Sequence, residues 1–492
     1  MRVAIPASRV RPEEAFLIGG TGLLLVVGLT LGADTPLAYF VVAVPIVLGV
    51  SWWRPVYGFA LLLGLALLTE QFEINTMPDS IRPLALQTLP IFENLKEYTP
   101  LAGVQANAVE IWFVLLIGIW LAQGLLTNRL RLAPIPCRSA WLIAAGTLGV
   151  AFTLGVMQGG DFKVALWEVR ALAYLLGLAW FVPQLVEKRE DLVLILSVMV
   201  LALAAKSVQG LYRYFFVLRM ELDLRETFMA HEDPVMIVPL LFLLAALYYY
   251  RSAPVLERIL GASAPFMFAA LVLTQRRVAY VGLAVCSVYF MTTLSSIARR
   301  RILRVALPFL LVVTAYVAAF AGSSSPFGRP IQRALSLFDP TNTSNLYRVV
   351  ELENLRYTVQ AHPWGVGFGH PYEIVRGMPK LDFPLVEYIP HNEVMWIWVK
   401  TGTLGFILIM FFFARIVAEA AWTYRHLRDP LLRAVATIIP VAIVNQLIAS
   451  SYELQLTFAR NMIYLGTLIG LLGPLQMWGG LVRRPTVPRW RL

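Results

Sequence analysis

His391 follows Pro390 and precedes Asn392 and Glu393 at the start of a long apolar run. A histidine there can take a proton from an attacking hydroxyl or, as a cation, stabilise a departing phosphate, and the sequence does not choose between these. Its commoner use is structural or interfacial. Arg276 and Arg277 stand between two apolar runs with almost no loop around them. A charge at that depth is costly unless partnered; the pair either snorkels to the interface or grips phosphate oxygens in bidentate fashion. HEDP at 231–234, QRR at 275–277 and PHNE at 390–393 each fall at the start of an expected helix. Unpaired backbone N–H groups and the helix dipole favour an anion at such ends, so three convergent ends would suit a diphosphate at the membrane surface. Asn392 is placed to cap its helix, and His231 to support the same site.

GVGFGH at 365–370 carries three alternating glycines. No strand precedes it and no βαβ unit surrounds it, so a dinucleotide turn is excluded in favour of a tight turn that brings backbone close to a ligand or a membrane helix. Gly367 and His370 are then supporting residues, with His370 either a polar loop residue or part of an acceptor site. Glu70, Glu73 and Asp79, or His231 with Glu232 and Asp233, offer hard oxygen ligands without a diagnostic metal spacing. Pairing of these acids with arginines is the expectation, and neither a metal nor a cofactor is called for.

The elements that position these residues are membrane helices. Of 492 residues 58% are hydrophobic and 14% charged, a composition that belongs in lipid. Apolar runs approach the roughly 20 residues a helix needs to cross hydrocarbon, and they lack the alternation of a β-barrel. The fold class is all-α: a polytopic helical bundle of about 12 to 14 spans with a large extracytoplasmic loop containing short helices. Spans are expected near 15–32, 37–50, 56–69, 108–126, 140–157, 169–186, 191–213, 234–250, 259–274, 278–295, 304–321, 392–415, 434–449 and 459–478. The first, behind Arg2, Arg9 and Arg11, reads as a retained signal anchor. This gives an N-terminal bundle over 1–321 with an outer loop at 70–107, a main outer loop over 322–391, and C-terminal helices with a tail over 392–492.

Basic residues mark the cytoplasmic side of short loops. Arg129, Arg131, Arg138, Lys188, Arg189, Arg299, Arg300, Arg301, Arg304, Arg425, Arg428, Arg483 and Arg484 gather on one side when both termini are inside. The net charge of +11 is thereby a matter of topology, and nucleic-acid binding is not needed to explain it. Within the main loop, SNLYRVVELENLRYTV places Leu346, Val349, Val350, Leu355 and Val359 near one face of an interfacial amphipathic helix, with Arg348 and Glu351 pointing elsewhere. Cys137 and Cys286 are not placed to pair.

The stretch from Arg348 to Gly405 resembles the O-antigen ligase and polymerase superfamily. The matching residues are Arg348, Pro363 with Trp364, the GVGFG turn, Pro390, His391 and Asn392, then Gly402 and Gly405. Upstream, LTQRRVAYVGL is similar to the family's Ser-Arg helix junction, with Arg276 where serine is usual. The resemblance implies an inner-membrane, metal-independent transferase acting on the extracytoplasmic face. Its donor would be an undecaprenyl-diphosphate-linked glycan and its acceptor a second glycan or a lipid A core sugar. It also implies Arg277 or Arg276, with Arg348, as diphosphate ligands and His391 as the catalytic residue. Extra N-terminal spans and a sizeable first outer loop lean toward a polymerase or an exopolysaccharide variant rather than a plain ligase.

Two other readings stand beside it. Lys206 and Lys400 lie within expected spans, as a transporter of polysaccharide or lipid-linked intermediates would require. The acids of the first outer loop would suit a metal-dependent transferase with a lipid-phosphate donor.

Overall fold

The computed structural model describes residues 36–71, 91–94, 105–128, 130, 132–220, 228–323, 325, 327–336, 339, 342–379 and 385–482. The expected span at 15–32, Glu73 and Asp79 lie outside them. Every other expected span coincides with a helix, and eight described helices are long and apolar enough to cross a membrane. The chain is a multi-pass helical membrane protein.

The chain forms two compact units, one over Met1–Arg131 with Val487–Leu492, the other over Leu132–Thr486. The first contains α1 (Pro36–Trp53), α2 (Pro55–Leu68) and α3 (Ala108–Leu126). Pro55 opens α2, where its missing N–H costs nothing. The start of α3 is fixed by a capping box between Asn107 and Glu110, both bonds being 2.9 Å.

The second unit comprises α4 (Arg138–Met157), α5 (Phe162–Leu185), α6 (Arg189–Tyr212), α7 (Asp233–Tyr250), α8 (Pro254–Leu273), α9 (Arg277–Thr293), α10 (Ser296–Phe320), α11 (Arg329–Leu335), α12 (Thr343–Ala361), α13 (Glu393–His426), α14 (Pro430–Ser450) and α15 (Ala459–Trp478). α15 is buried along nearly its whole length and packs on α5, while α14 packs on α7, α9 and α13. α5 begins earlier than hydropathy suggests, because Asp161 caps it by accepting from Lys163 and Val164 backbone N–H groups.

α13 is broken. Gly402 has φ 70° and ψ 177° within it, and the turn 365–369 fills the break. Val366 and Gly367 donate to the carbonyls of Val399 and Lys400 at 2.9 and 3.1 Å, and Thr403 donates to the carbonyl of Pro363 at 2.9 Å. A Cβ on Gly402 would lie 2.3 Å from the Trp364 carbonyl carbon, and one on Gly367 2.4 Å from the Gly155 Cα in α4. Both positions combine positive φ with backbone contact, which only glycine meets without strain. The turn therefore approaches membrane helices, one of the two readings its sequence allows.

Beneath it, Lys400 Nζ and Glu168 Oε1 pair at 2.7 Å with no exposed side-chain surface on either. Glu168 also accepts from Gly369 N at 2.7 Å and Trp396 Nε1 at 3.2 Å. A buried pair is modest in net stability, but losing one partner strands a charge in the interior. Lys400→Met is expected to destabilise by about 3–5 kcal/mol, and Lys400→Met with Glu168→Leu to recover most of that. Thermal unfolding in detergent measures both; a double variant no more stable than the single would contradict the pairing.

Candidate functional site

The N-terminal ends of α7, α9, α13 and α15 meet at one end of the second unit. Glu393, fully buried at the start of α13, accepts hydrogen bonds from the backbone N–H groups of Gln455 and Leu456, from Thr457 N at 3.1 Å and from Thr457 Oγ1 at 2.5 Å. It thus holds the loop before α15. Arg460 in that helix bonds Glu232 and Asp233 at 2.7 Å each, and Lys206 of α6 reaches Asp233 at 3.5 Å. The turn carrying His231 is thereby anchored through its two acids. These contacts match the expected pairing of Glu232 and Asp233 with an arginine. Lys206 and Lys400, on which a transporter reading would lean, each hold a buried acid of the scaffold.

His391 sits at this end, with Asn392 as its helix cap, accepting from Met395 N at 3.0 Å. Glu351 of α12 reaches across to it: Oε2 accepts from His391 N and Oε1 contacts Nδ1, both at 3.0 Å. The Glu351 side chain is 1% exposed and that of His391 27%. With the carboxylate ionised, Nδ1 must donate, which leaves Nε2 as an acceptor. The Tyr347 ring stands edge-on to the imidazole at 5.4 Å. Burial, then the Glu351 charge, push the Tyr347 hydroxyl up to about 12, so it stays protonated.

Arg276 and Arg277 diverge. Arg276 Nη2 lies 2.5 Å from His231 Nε2, and its Nη1 3.7 Å from Glu453 Oε1. A guanidinium only donates, so Nε2 of His231 accepts and the ring proton is on Nδ1. The His231 ring is accessible yet closely surrounded; that burial, then the charges of Arg276 and His391, hold its pKa well below the ordinary 6.5. Arg277 turns to the other side, donating from Nη1 to Asn345 Oδ1 at 2.9 Å and Ser336 O at 3.2 Å, and from Nη2 to Ser344 Oγ at 3.3 Å. The charges of Arg348 and Arg333 bear on it. Arg348 is half-buried, and its Nε makes no hydrogen bond among the described residues. Arg277 is thus docked on the first turn of the loop helix, whose following residues include Arg348 and then Glu351.

The structure thus places His231 against Arg276 and within the field of His391, and sets Arg277 against the start of the helix that carries Arg348. The other two candidates lie further along α13. Gly367 is packed on α4, and His370 Nε2 is 3.0 Å from the Gly155 carbonyl oxygen, while the His370 carbonyl accepts from Lys400 Nζ. Both belong to the strap that fills the helix break.

α12 is the helix expected in this loop, and its apolar stripe divides: Leu346 and Val349 are 52% and 53% exposed, while Leu355 is buried against Tyr372 and Val399 with Val359 beside it, and Glu351, Asn354 and Thr358 also face inward. Polar bonds help to dock the helix: Asn354 Oδ1 accepts from Val375 N at 3.1 Å and Arg376 N at 2.8 Å, and Thr358 Oγ1 accepts from Glu373 N at 3.0 Å. Such bonds reward burial of a polar face, which a hydropathy pattern cannot register. Glu351, Tyr347, Arg333 and Glu453 were not singled out by sequence. The available sign for Glu351 was its spacing from Arg348, which puts both on one side of the helix, off the apolar stripe.

Residues 262–410 match the family model described as O-Antigen ligase. The match takes in Arg276, Arg277, Arg333, Arg348, Glu351 and His391, and it supports the O-antigen ligase and polymerase superfamily that the motifs resemble. No curated protein matches the chain.

Proposed function

We propose that this protein is an O-antigen ligase-type glycosyltransferase of the membrane and moves a glycan from an undecaprenyl-diphosphate donor to a sugar hydroxyl at the extracytoplasmic end of its bundle. The observation that carries the reading is His391 clasped by Glu351 one helical turn from Arg348, with Arg277 and Arg333 beside it. Nε2 of His391 accepts the proton of the attacking hydroxyl, the oxygen bonds to the anomeric carbon, and the bond to the diphosphate breaks with its electron pair leaving on phosphate. Glu351 stabilises the imidazolium that forms, and the guanidinium groups stabilise the charge on the leaving diphosphate. Arg277 and Arg348 are the phosphate ligands in this reading, because Arg276 faces the Glu453 carboxylate and His231, whereas Arg277 has neutral partners and Arg348 Nε makes no hydrogen bond among the described residues. The acceptor is a second lipid-linked glycan or a lipid A core sugar. Diphosphate is already a good leaving group, so the reaction needs no metal; transfer that stops in excess chelator and returns with added cation would favour the metal-dependent reading instead.

Reconstitution with an undecaprenyl-diphosphate oligosaccharide and an acceptor tests the scheme. Glu351→Gln is expected to lower the single-turnover rate about 10- to 100-fold, with donor affinity nearly unchanged. An unchanged rate would detach Glu351 from the reaction, and substrate flux without a glycosidic product would return the transporter reading.

A further inference from the structure

The opposite end of the second unit, where Arg425 and Arg428 lie, contains a groove of about 720 Å³ between α9 and α13, floored by Ile443 and Leu447 of α14. Its origin is in the sequence: Ala414, Ala418 and Ala421 recur at helical spacing along its α13 wall and are too small to close the gap. The polar residues of the groove gather where α9 ends, at Thr292, Ser295 and Arg425. A second hollow of about 320 Å³, with Val288 and Met291 among its lining, holds Arg299 and shares Thr292 with the first. Two apolar channels thus flank the last turns of α9, meet at a threonine, and each has an arginine in its lining.

We propose that these grooves hold one diacyl phospholipid with an anionic headgroup, an acyl chain in each groove and the phosphate at Thr292 between Arg299 and Arg425. The division into two apolar arms and one cationic, hydroxyl-bearing junction fits a two-chain amphiphile with a phosphate at its branch point. A lipid with a single polyprenyl chain would fill one arm and leave the other empty. Arg300 and Arg301 nearby are exposed and add to the positive field. A zwitterionic headgroup would place its own cation in that field. The negative pole of α9 is partly answered, since the Thr293 carbonyl accepts from the Tyr424 hydroxyl. The site is independent of the reading given to the other end of the bundle.

Native mass spectrometry of the detergent-purified full chain, titrated with phosphatidylglycerol or phosphatidylcholine of identical chains, tests this. Phosphatidylglycerol should be retained at least tenfold better and raise the melting temperature more. Arg299→Gln with Arg425→Gln should bring its retention down to the phosphatidylcholine level, and both sites are exposed, so folding is not at stake. Ala418→Phe, also exposed, should lower retention of both lipids. Equal retention of the two lipids by the wild type, or an unaffected arginine double variant, would overturn the proposal. So would displacement of phosphatidylglycerol by a glycan-free polyprenyl phosphate whose binding survives the double substitution, since that outcome assigns the groove to a prenyl chain.

Discussion

His391→Ala is expected to reduce transfer by roughly 10³-fold or more, to the limit of detection, in protein that inserts and folds as the wild type does. The imidazole is an exposed-edge group whose loss removes one contact from Glu351 and leaves the helix cap at Asn392 untouched. Its backbone N–H still donates to Glu351 Oε2, so the carboxylate is not abandoned in the interior. The effect should therefore fall on the rate of the chemical step and not on yield or melting temperature. Donor binding should persist, because the guanidinium groups proposed to meet the diphosphate belong to other elements. A rapid-quench single-turnover assay with pre-bound donor separates these quantities. If the alanine variant transfers at the wild-type rate, the acceptor hydroxyl loses its proton elsewhere and the histidine is structural, as most helix-start histidines are.

Much of this site was legible in the sequence because its elements are membrane helices. Apolar runs have one stable form in lipid, so the starts of α7, α9 and α13, and the residues Arg276, Arg277, His391 and Asn392 placed there, follow from hydropathy. Which end they share follows from helix direction. Contacts between distant segments were not legible. Glu351 meets His391 across 40 positions, and nothing in the local pattern of either segment announces it. α12 shows why: beside the apolar Leu355 its buried face carries Glu351, Asn354 and Thr358, and apolar periodicity reports only the first kind of contact. The glycine turn was legible as a turn but not as a plug. Its partner is the break at Gly402 in a run that hydropathy reads as continuous. Nor could the adjacent pair Arg276 and Arg277 be separated by type; only the direction of each side chain distinguishes them.

That separation yields the second large effect. Arg277→Ala and Arg348→Ala should each slow transfer by about 10²- to 10³-fold, since each removes a cation preorganised toward the leaving diphosphate. Lysine at either position should restore little of the loss, because an ammonium cannot offer the paired donors of a guanidinium. Arg276→Ala should cost less than about tenfold in the chemical step and act mainly through His231, whose ring would lose the donor that fixes its tautomer. Arg277 bonds the first turn of the loop helix on which Arg348 stands. Cations held in place for a leaving group act on the charge it develops more than on the intact donor, so their loss should fall on the rate. Two consequences follow for measurement. The double variant Arg277→Ala with Arg348→Ala should be less impaired than the product of the singles, as groups acting on one leaving group are not additive. Inorganic pyrophosphate should inhibit the wild type competitively against donor, and more weakly the Arg277→Ala variant. If Arg276→Ala proves the most damaging of the three and Arg277→Ala nearly silent, the phosphate lies on the His231 side, and the roles of the two neighbours are reversed.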